Sequence, residues 1–466
     1  MTSTRFGRGR LARDLAIFGA AGALAAGLAL VGGAAPASAA IACDGAACVV
    51  SGAGNEITSQ WDLQPGDSLV VEAGAELTIT ESGGLSNSSG GTVQIDAGAT
   101  VTVEGSLSIY GAESSAAGAS AAGVAAGTIA VVGDAAVQLA GVDNTGSINV
   151  RATGGAILWD SNNSGQIGVD GGSVHMTNGV NSGAVTVDGG GYLILSATRN
   201  EASGRITVSE GSEMTVARNL TNHGVINLGG DLALIGSLDE EDPGQFINAG
   251  SIVNSGPAAL TLWRASMLNQ GDISGDLTVR TDRASRLYNA GTVGGAWAYS
   301  ALGGDGAFAP LPNQAAAGEF GLLNLVRATA PEGCTAEAAA PDRADWRILP
   351  VGGGPYVALG ETATLTTECA GREFKGWTVT NATPASGAAA QLSVTASGAG
   401  VVGAVAEWAG GGASSSPSPS PTASAAGKPI LPETGVTART WAFGFGSVAL
   451  IGLGAALVRR RATARG

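Results

Sequence analysis

The sequence predicts an all-β chain, a solenoid of stacked coils followed by a small β-rich domain. Three observations carry this. Glycine is abundant, at 76 residues of 466, while aromatic and charged residues are sparse. Apolar residues alternate with small polar ones over short runs, the period-2 pattern of strands with one buried face. The pattern recurs about every 20 residues, which is the mark of a repeat architecture.

The repeat is clearest as Asn-x-Gly followed by a strand. It reads Asn144-Thr-Gly146-Ser-Ile148, Asn163-Ser-Gly165-Gln-Ile167 and Asn181-Ser-Gly183-Ala-Val185, and continues to Asn289-Ala-Gly291-Thr-Val293. Each unit is expected to hold two strands. The first follows the glycine, as in Ile148/Val150, Ile167/Val169 and Val185/Val187. The second follows a small-residue turn, as in Val174/Met176, Leu193/Leu195 and Met214/Val216. Residues i and i+2 share a face, so these pairs should point into the coil. Asn and Gly are expected at the corners, where positive φ is tolerated, with stacked asparagines linking their amides from coil to coil. Gly91-Thr-Val93-Gln-Ile95 and Gly127-Thr-Ile129-Ala-Val131 fit the same register. Ala112 to Ala126 reads as an outward loop. Eleven or twelve coils at about 4.8 Å each would make a rod roughly 50–60 Å long. Cys43, Cys48 and Trp61 are expected to form its N-terminal cap.

The region from residue 40 to 299 resembles the right-handed parallel β-helices of bacterial surface proteins and pectin-lyase-like enzymes. Such enzymes cut polysaccharides with Asp pairs, or with Lys, Arg and Ca²⁺-binding Asp, on one outer face. The resemblance directs attention to Asp239-Glu240-Glu241-Asp242, which fills the one long step of the repeat. Four carboxylates could bind Ca²⁺ or serve as acid and base, but consecutive residues do not face one ligand and a solvated acidic loop is the plainer reading. Trp263 and Arg264 form a second candidate spot for a ligand. Trp159 aligns with Met176 and is expected in the core. His175 should face outward and His223 lies in a corner. There is no Ser-His-Asp arrangement, phosphate loop or metal-ligand spacing. No catalytic residue, cofactor or metal is therefore expected.

Residues 300–320 read as a linker and 321–409 as a second module. Phe374, Gly376, Trp377 and Trp408 match an F-x-G-W turn and a final strand ending in Trp. In this the segment resembles the internalin B-repeat-like modules of wall proteins, which implies a small β-grasp-like unit serving as spacer or binding module. Residues 410–430 are Gly, Ala, Ser and Pro, with Ser-Pro repeated from Ser416 to Pro421, the composition of an extended stalk.

The two ends carry targeting signals. Four arginines, an apolar stretch from Leu15 to Val31 and Pro36-Ala37-Ser38-Ala39-Ala40 have the order of a secretory signal peptide cleaved after Ala39. At the other end stand Leu431-Pro432-Glu433-Thr434-Gly435, then an apolar run from Trp441 to Val458, then Arg459-Arg460-Arg461. This order resembles the LPXTG sorting signal of Gram-positive surface proteins (residues 431–466 here), the substrate of sortase transpeptidases. It implies that a sortase cysteine attacks the Thr434 carbonyl, releases Gly435 onward and passes Thr434 to an amine of peptidoglycan. Residues 441–458 would span about 27 Å as a helix, enough for temporary membrane insertion, with the arginines held in the cytoplasm.

All four cysteines, Cys43, Cys48, Cys334 and Cys369, lie in the exported part, where two disulfides are expected. Local pairs are the simplest of three connectivities. The formal charge of −15 becomes −23 once the terminal segments, with nine arginines and one aspartate, are removed. Such a surface repels nucleic acid. The expected partners are sortase, peptidoglycan and a glycan or matrix protein. The expected role is an adhesin-like or structural display rod, with a polysaccharide lyase or hydrolase and a passive coat protein as alternatives.

Overall fold

The computed structural model describes residues 41–88, 91–111, 123–236, 244–282, 285–302, 308–310, 322–341, 355–397 and 400–409. Its main body is a parallel β-solenoid with three strands per coil. Sheet A takes the first strand of each coil (Val142–Asn144, for example), sheet B the second (Ser147–Arg151) and sheet C the third (Gly155–Trp159). Among the described residues sheet B has 12 strands, one for each coil.

The coils stack without register slips. In sheet B, Ile148, Ile167, Val185, Ile206, Ile226, Ile252, Ile273 and Val293 lie in one column. In sheet C, Ala156, Val174, Leu193, Met214, Leu232, Leu260 and Val279 do the same. Apart from Val293 at the last coil, which is half-buried, these columns are buried and belong to one continuous core. A slip by one residue would turn every apolar side chain outward, so burial fixes the register.

The sheet A strand escapes sequence reading because in these coils it is only two to four residues long and its inward residue is often Asn. The repeated asparagines are therefore not corner residues. Each ends a strand of sheet A, is buried, and donates its Nδ2–H to the Oδ1 of the next. The ladder runs Asn144, Asn163, Asn181, Asn200, Asn222, Asn248, Asn269, Asn289, with N···O distances of 2.7–2.9 Å. It ends on a ninth rung, Asn324, at 3.3 Å.

The glycines that follow have ordinary φ. Their reason is close approach. A Cβ on Gly165 would lie 2.1 Å from the carbonyl oxygen of Gly146, and one on Gly183 the same distance from that of Gly165. In these coils positive φ occurs at the other two corners: one residue past sheet C, at Gly141, Asp160, Asn178, Ala197 and Arg264, and between sheets B and C, at Ala152, Gly171, Gly189 and Gly211. Thr92–Ile95, expected in sheet B, lies in sheet A. Within the expected loop from Ala112 to Ala126, Gly123–Ala125 is a strand of sheet A; residues 112–122 lie outside the described residues.

The N-terminal end is closed as the cysteines suggest. Ile41–Asp44 and Ala47–Val50 form a hairpin joined by the Cys43–Cys48 disulfide, and Ile41 and Trp61 pack against the core.

At the other end, the expected linker contains strands. Trp297–Leu302 continues sheet C and Phe308–Pro310 folds back on it. Leu322–Thr329 then does two jobs. Its first half extends sheet A, pairing Leu287 with Leu322 and Asn289 with Asn324. Its second half pairs in parallel with Val402–Trp408, inside the module.

The module packs this sheet, completed by Phe374–Thr380, against a second one of four strands, with Trp377 in the core between them. A β-grasp unit would wrap its sheet round a helix. Among the described residues a second sheet takes that place, and the two sheets pack as a sandwich. Cys334–Cys369 ties the start of Thr335–Ala339 to the strand beside it. A second small core, Leu268, Tyr288, Leu323, Tyr356 and Ala358, seats the module on the outer face of sheet A.

Candidate functional site

With the inside of the coil filled, ligand chemistry can only lie on the outer faces, and the faces differ. That of sheet B is small and polar, with Thr78, Thr102, Asn149, Thr186, Thr207 and Asn227 among its residues. At the edge of this face one column holds Arg151, Asp170 and Asp188 on three successive coils. All three are exposed, and with Asn149 and Thr186 they border a shallow hollow of about 320 Å³. Asp188 accepts the N–H of Gly189 at 2.8 Å. Sequence reading missed this group although a signal existed: its members are 19 and 18 residues apart, the local coil period.

The outer face of sheet C is the apolar and aromatic one. Its central column is Ile157, His175, Ile194, Thr215, Ala233 and Thr261. Beside it Trp159 aligns with Thr177 and Ser196, and further along Ile235 aligns with Trp263. Trp159 is therefore not core, as expected, but outward and half-buried. The expected alignment was one residue out: Ala156 and Leu158 are the inward pair. Ala156 carries little apolar signal, so the larger Ile157 and Trp159 set the wrong phase.

His175 does point outward, between Ile157 and Ile194. Its Nε2 lies 3.0 Å from the Thr177 hydroxyl. Burial among these neighbours, and secondarily the Arg218 guanidinium, lower its pKa to about 4. The ring is neutral at pH 7 and can accept the Thr177 O–H. Tyr192 donates its hydroxyl to Thr215 at 2.7 Å. His223 is exposed at its corner.

Trp263 is outward and half-buried, and Arg264 is exposed with a positive φ of 48°. The Arg264 N–H donates to Asp282 at 3.1 Å. Asp239, Glu240, Glu241 and Asp242 lie outside the described residues. Their flanks are placed: the N–H of Gly236 donates to the Trp263 carbonyl at 2.9 Å, and a Cβ on Gly236 would collide with the Arg264 carbonyl. Gly236, which precedes the acidic segment in sequence, thus lies beside the Trp263–Arg264 corner.

Cys43–Cys48 and Cys334–Cys369 are paired locally. Ala39, the stalk, Leu431 to Gly435, the run from Trp441 to Val458 and Arg459 to Arg461 lie outside the described residues. Among the described residues no helix is long and apolar enough to cross a membrane, and no three His, Cys, Asp or Glu side chains gather to hold a metal ion. No family model, curated protein or solved structure matches this chain, so the reading of its outer faces rests on their own residues.

Proposed function

We propose that this is an exported surface protein, joined to peptidoglycan by a sortase at Thr434, whose solenoid is a display rod with an adhesin-like role. The carrying observation is the order of parts along one chain: leader, rod, module, Pro-Ser stalk and sorting signal. A solenoid supports this role physically. Each coil contacts only its neighbours, so length is gained by repetition and broad outer faces are held at fixed spacing. Binding along such a face would be modest at each point and strengthened by multivalency.

The anchoring reaction involves this chain as substrate. Leu431 and Pro432 would be read by the sortase, with Glu433 at the variable position. The Thr434–Gly435 bond breaks and a new amide forms between Thr434 and the wall amine. In wild-type cells the protein should be released by wall-digesting enzymes. Thr434→Ala should move it to the detergent-soluble membrane fraction. A Thr434→Ala protein still released by wall digestion alone would exclude sorting at this bond.

A second reading, polysaccharide cleavage, is favoured by Arg151, Asp170 and Asp188. Two carboxylates on adjacent coils beside a cation and a hollow resemble the equipment of acid–base glycan chemistry. It predicts release of reducing ends or unsaturated products from wall or matrix polysaccharides, lost in Asp170→Asn and in Asp188→Asn. Equal product release by wild type and both variants would remove this reading.

A further inference from the structure

We propose that the C-terminal module is a force-bearing clamp between the rod and the wall, a role that rests on the anchoring reading above. The argument is topological. The rod is joined to the N-terminal end of Leu322–Thr329. The stalk leaves from the C-terminal end of Val402–Trp408. These two strands are parallel neighbours, paired Val326 to Val402, Arg327 to Gly403, Ala328 to Ala404 and Thr329 to Val405. Tension between a held rod and a fixed stalk therefore pulls the pair from opposite ends. The strands must slide along each other, and their hydrogen bonds share the load and fail together. Had the strands been antiparallel, the same tension would open them one bond at a time.

The surroundings reinforce the pair. Val402–Trp408 is flanked on its other side by Phe374–Thr380, which pairs with it from Phe374–Trp408 to Thr380–Gly403. Val326, Val402, Ala404 and Ala406 are buried in the module core. Sliding would drag these side chains out of their packing. At the rod side, Leu322–Thr329 is held by parallel pairing to Arg286–Asn289 and by the hydrogen bond that the Asn289 side-chain amide donates to Asn324 Oδ1. Tyr356 packs edge-on against Tyr288, with ring centroids 5.3 Å apart. The loaded strand is thus part of both bodies.

Single-molecule pulling tests the clamp. The exported chain, residues 40–434, is tethered at its C-terminal end. The second handle is attached through Asp272→Cys, on the rod, or through Glu332→Cys, just past the C-terminal end of Leu322–Thr329. Both positions are exposed. The first geometry shears the pair and the second unzips it, in the same protein. Rupture under load follows the unfolding rate in the chosen direction. The expected result is a module rupture force severalfold higher through Asp272→Cys than through Glu332→Cys.

The disulfide identifies the event. Cys334 and Cys369 are 35 residues apart, so reduction should lengthen the module step by about 120 Å at roughly 3.3–3.6 Å per residue. Equal forces in the two geometries would overturn the clamp. So would a first event through Asp272→Cys whose length ignores reductant, since the rod would then yield before the module. Neither outcome depends on sortase, which Thr434→Ala tests separately.

Discussion

At the scale of single residues, the asparagine ladder shows why one residue type recurs. Inside a coil a polar side chain must find partners or lose about 1–3 kcal/mol per unsatisfied group. Asn can both donate to the next coil and accept from the previous one, so a stack satisfies itself except at its ends. The first rung bears this out. Asn144 Oδ1 is buried without a donor, because the preceding coil has Ala125 at that place. A break in the middle should cost more. Asn200→Ala would remove the acceptor of Asn181 and the donor of Asn222. It should destabilise the rod by about 2–5 kcal/mol, read from urea or thermal unfolding of the exported chain. The ladder was legible in part: the Asn-x-Gly spacing revealed the stack, but not that its side chains point inward. The Asn324 rung lacks the following glycine and could not be seen.

At the scale of elements, the three sheets have the same strands and different outsides. Sheet B faces water with small polar residues, while sheet C presents Ile157, His175, Ile194 and two tryptophans. His175 reports on that face. Its folded pKa of about 4 lies below the ordinary 6.5, so between these values the unfolded chain binds more protons than the folded one. Stability should therefore fall as pH drops from about 6.5 to about 4. The loss is up to about 3 kcal/mol, since each tenfold weakening of proton binding corresponds to about 1.4 kcal/mol, less whatever solvent reaching the partly exposed ring restores. His175→Gln, which keeps a polar group toward Thr177, should flatten this part of a plot of melting temperature against pH. An unchanged slope would place its origin elsewhere. The Trp159 error belongs to this scale too. The inward set of a strand is decided by packing against the coils above and below, and one small inward residue suffices to mislead a reading of alternation.

At the scale of the whole molecule, the decisive feature is that rod and module share a strand. Composition suggested a linker at 300–320, yet Trp297–Leu302 and Phe308–Pro310 are strands there and Leu322–Thr329 belongs to both bodies. The junction is sealed by Leu268, Tyr288, Leu323, Tyr356 and Ala358. Tyr288→Ala should loosen this seam, separating one unfolding transition into two in calorimetry. A double-mutant cycle with Tyr356→Ala should return about 0.5–1.5 kcal/mol of coupling, as expected for an edge-to-face aromatic pair. Zero coupling would mean that the seam is held by the shared strand alone.

The sequence by itself determined the solenoid, its period and its two inward strands of alternating apolar residues. These follow from near-neighbour chemistry, in which alternation, corner residues and spacing are written along the chain. Only the tertiary structure decided the rest. Sheet A, the inward asparagines, the outward Trp159, the Arg151–Asp170–Asp188 column and the shared strand are products of stacking. They join residues one coil or many coils apart, and the chain carries no local mark of which neighbour each will meet.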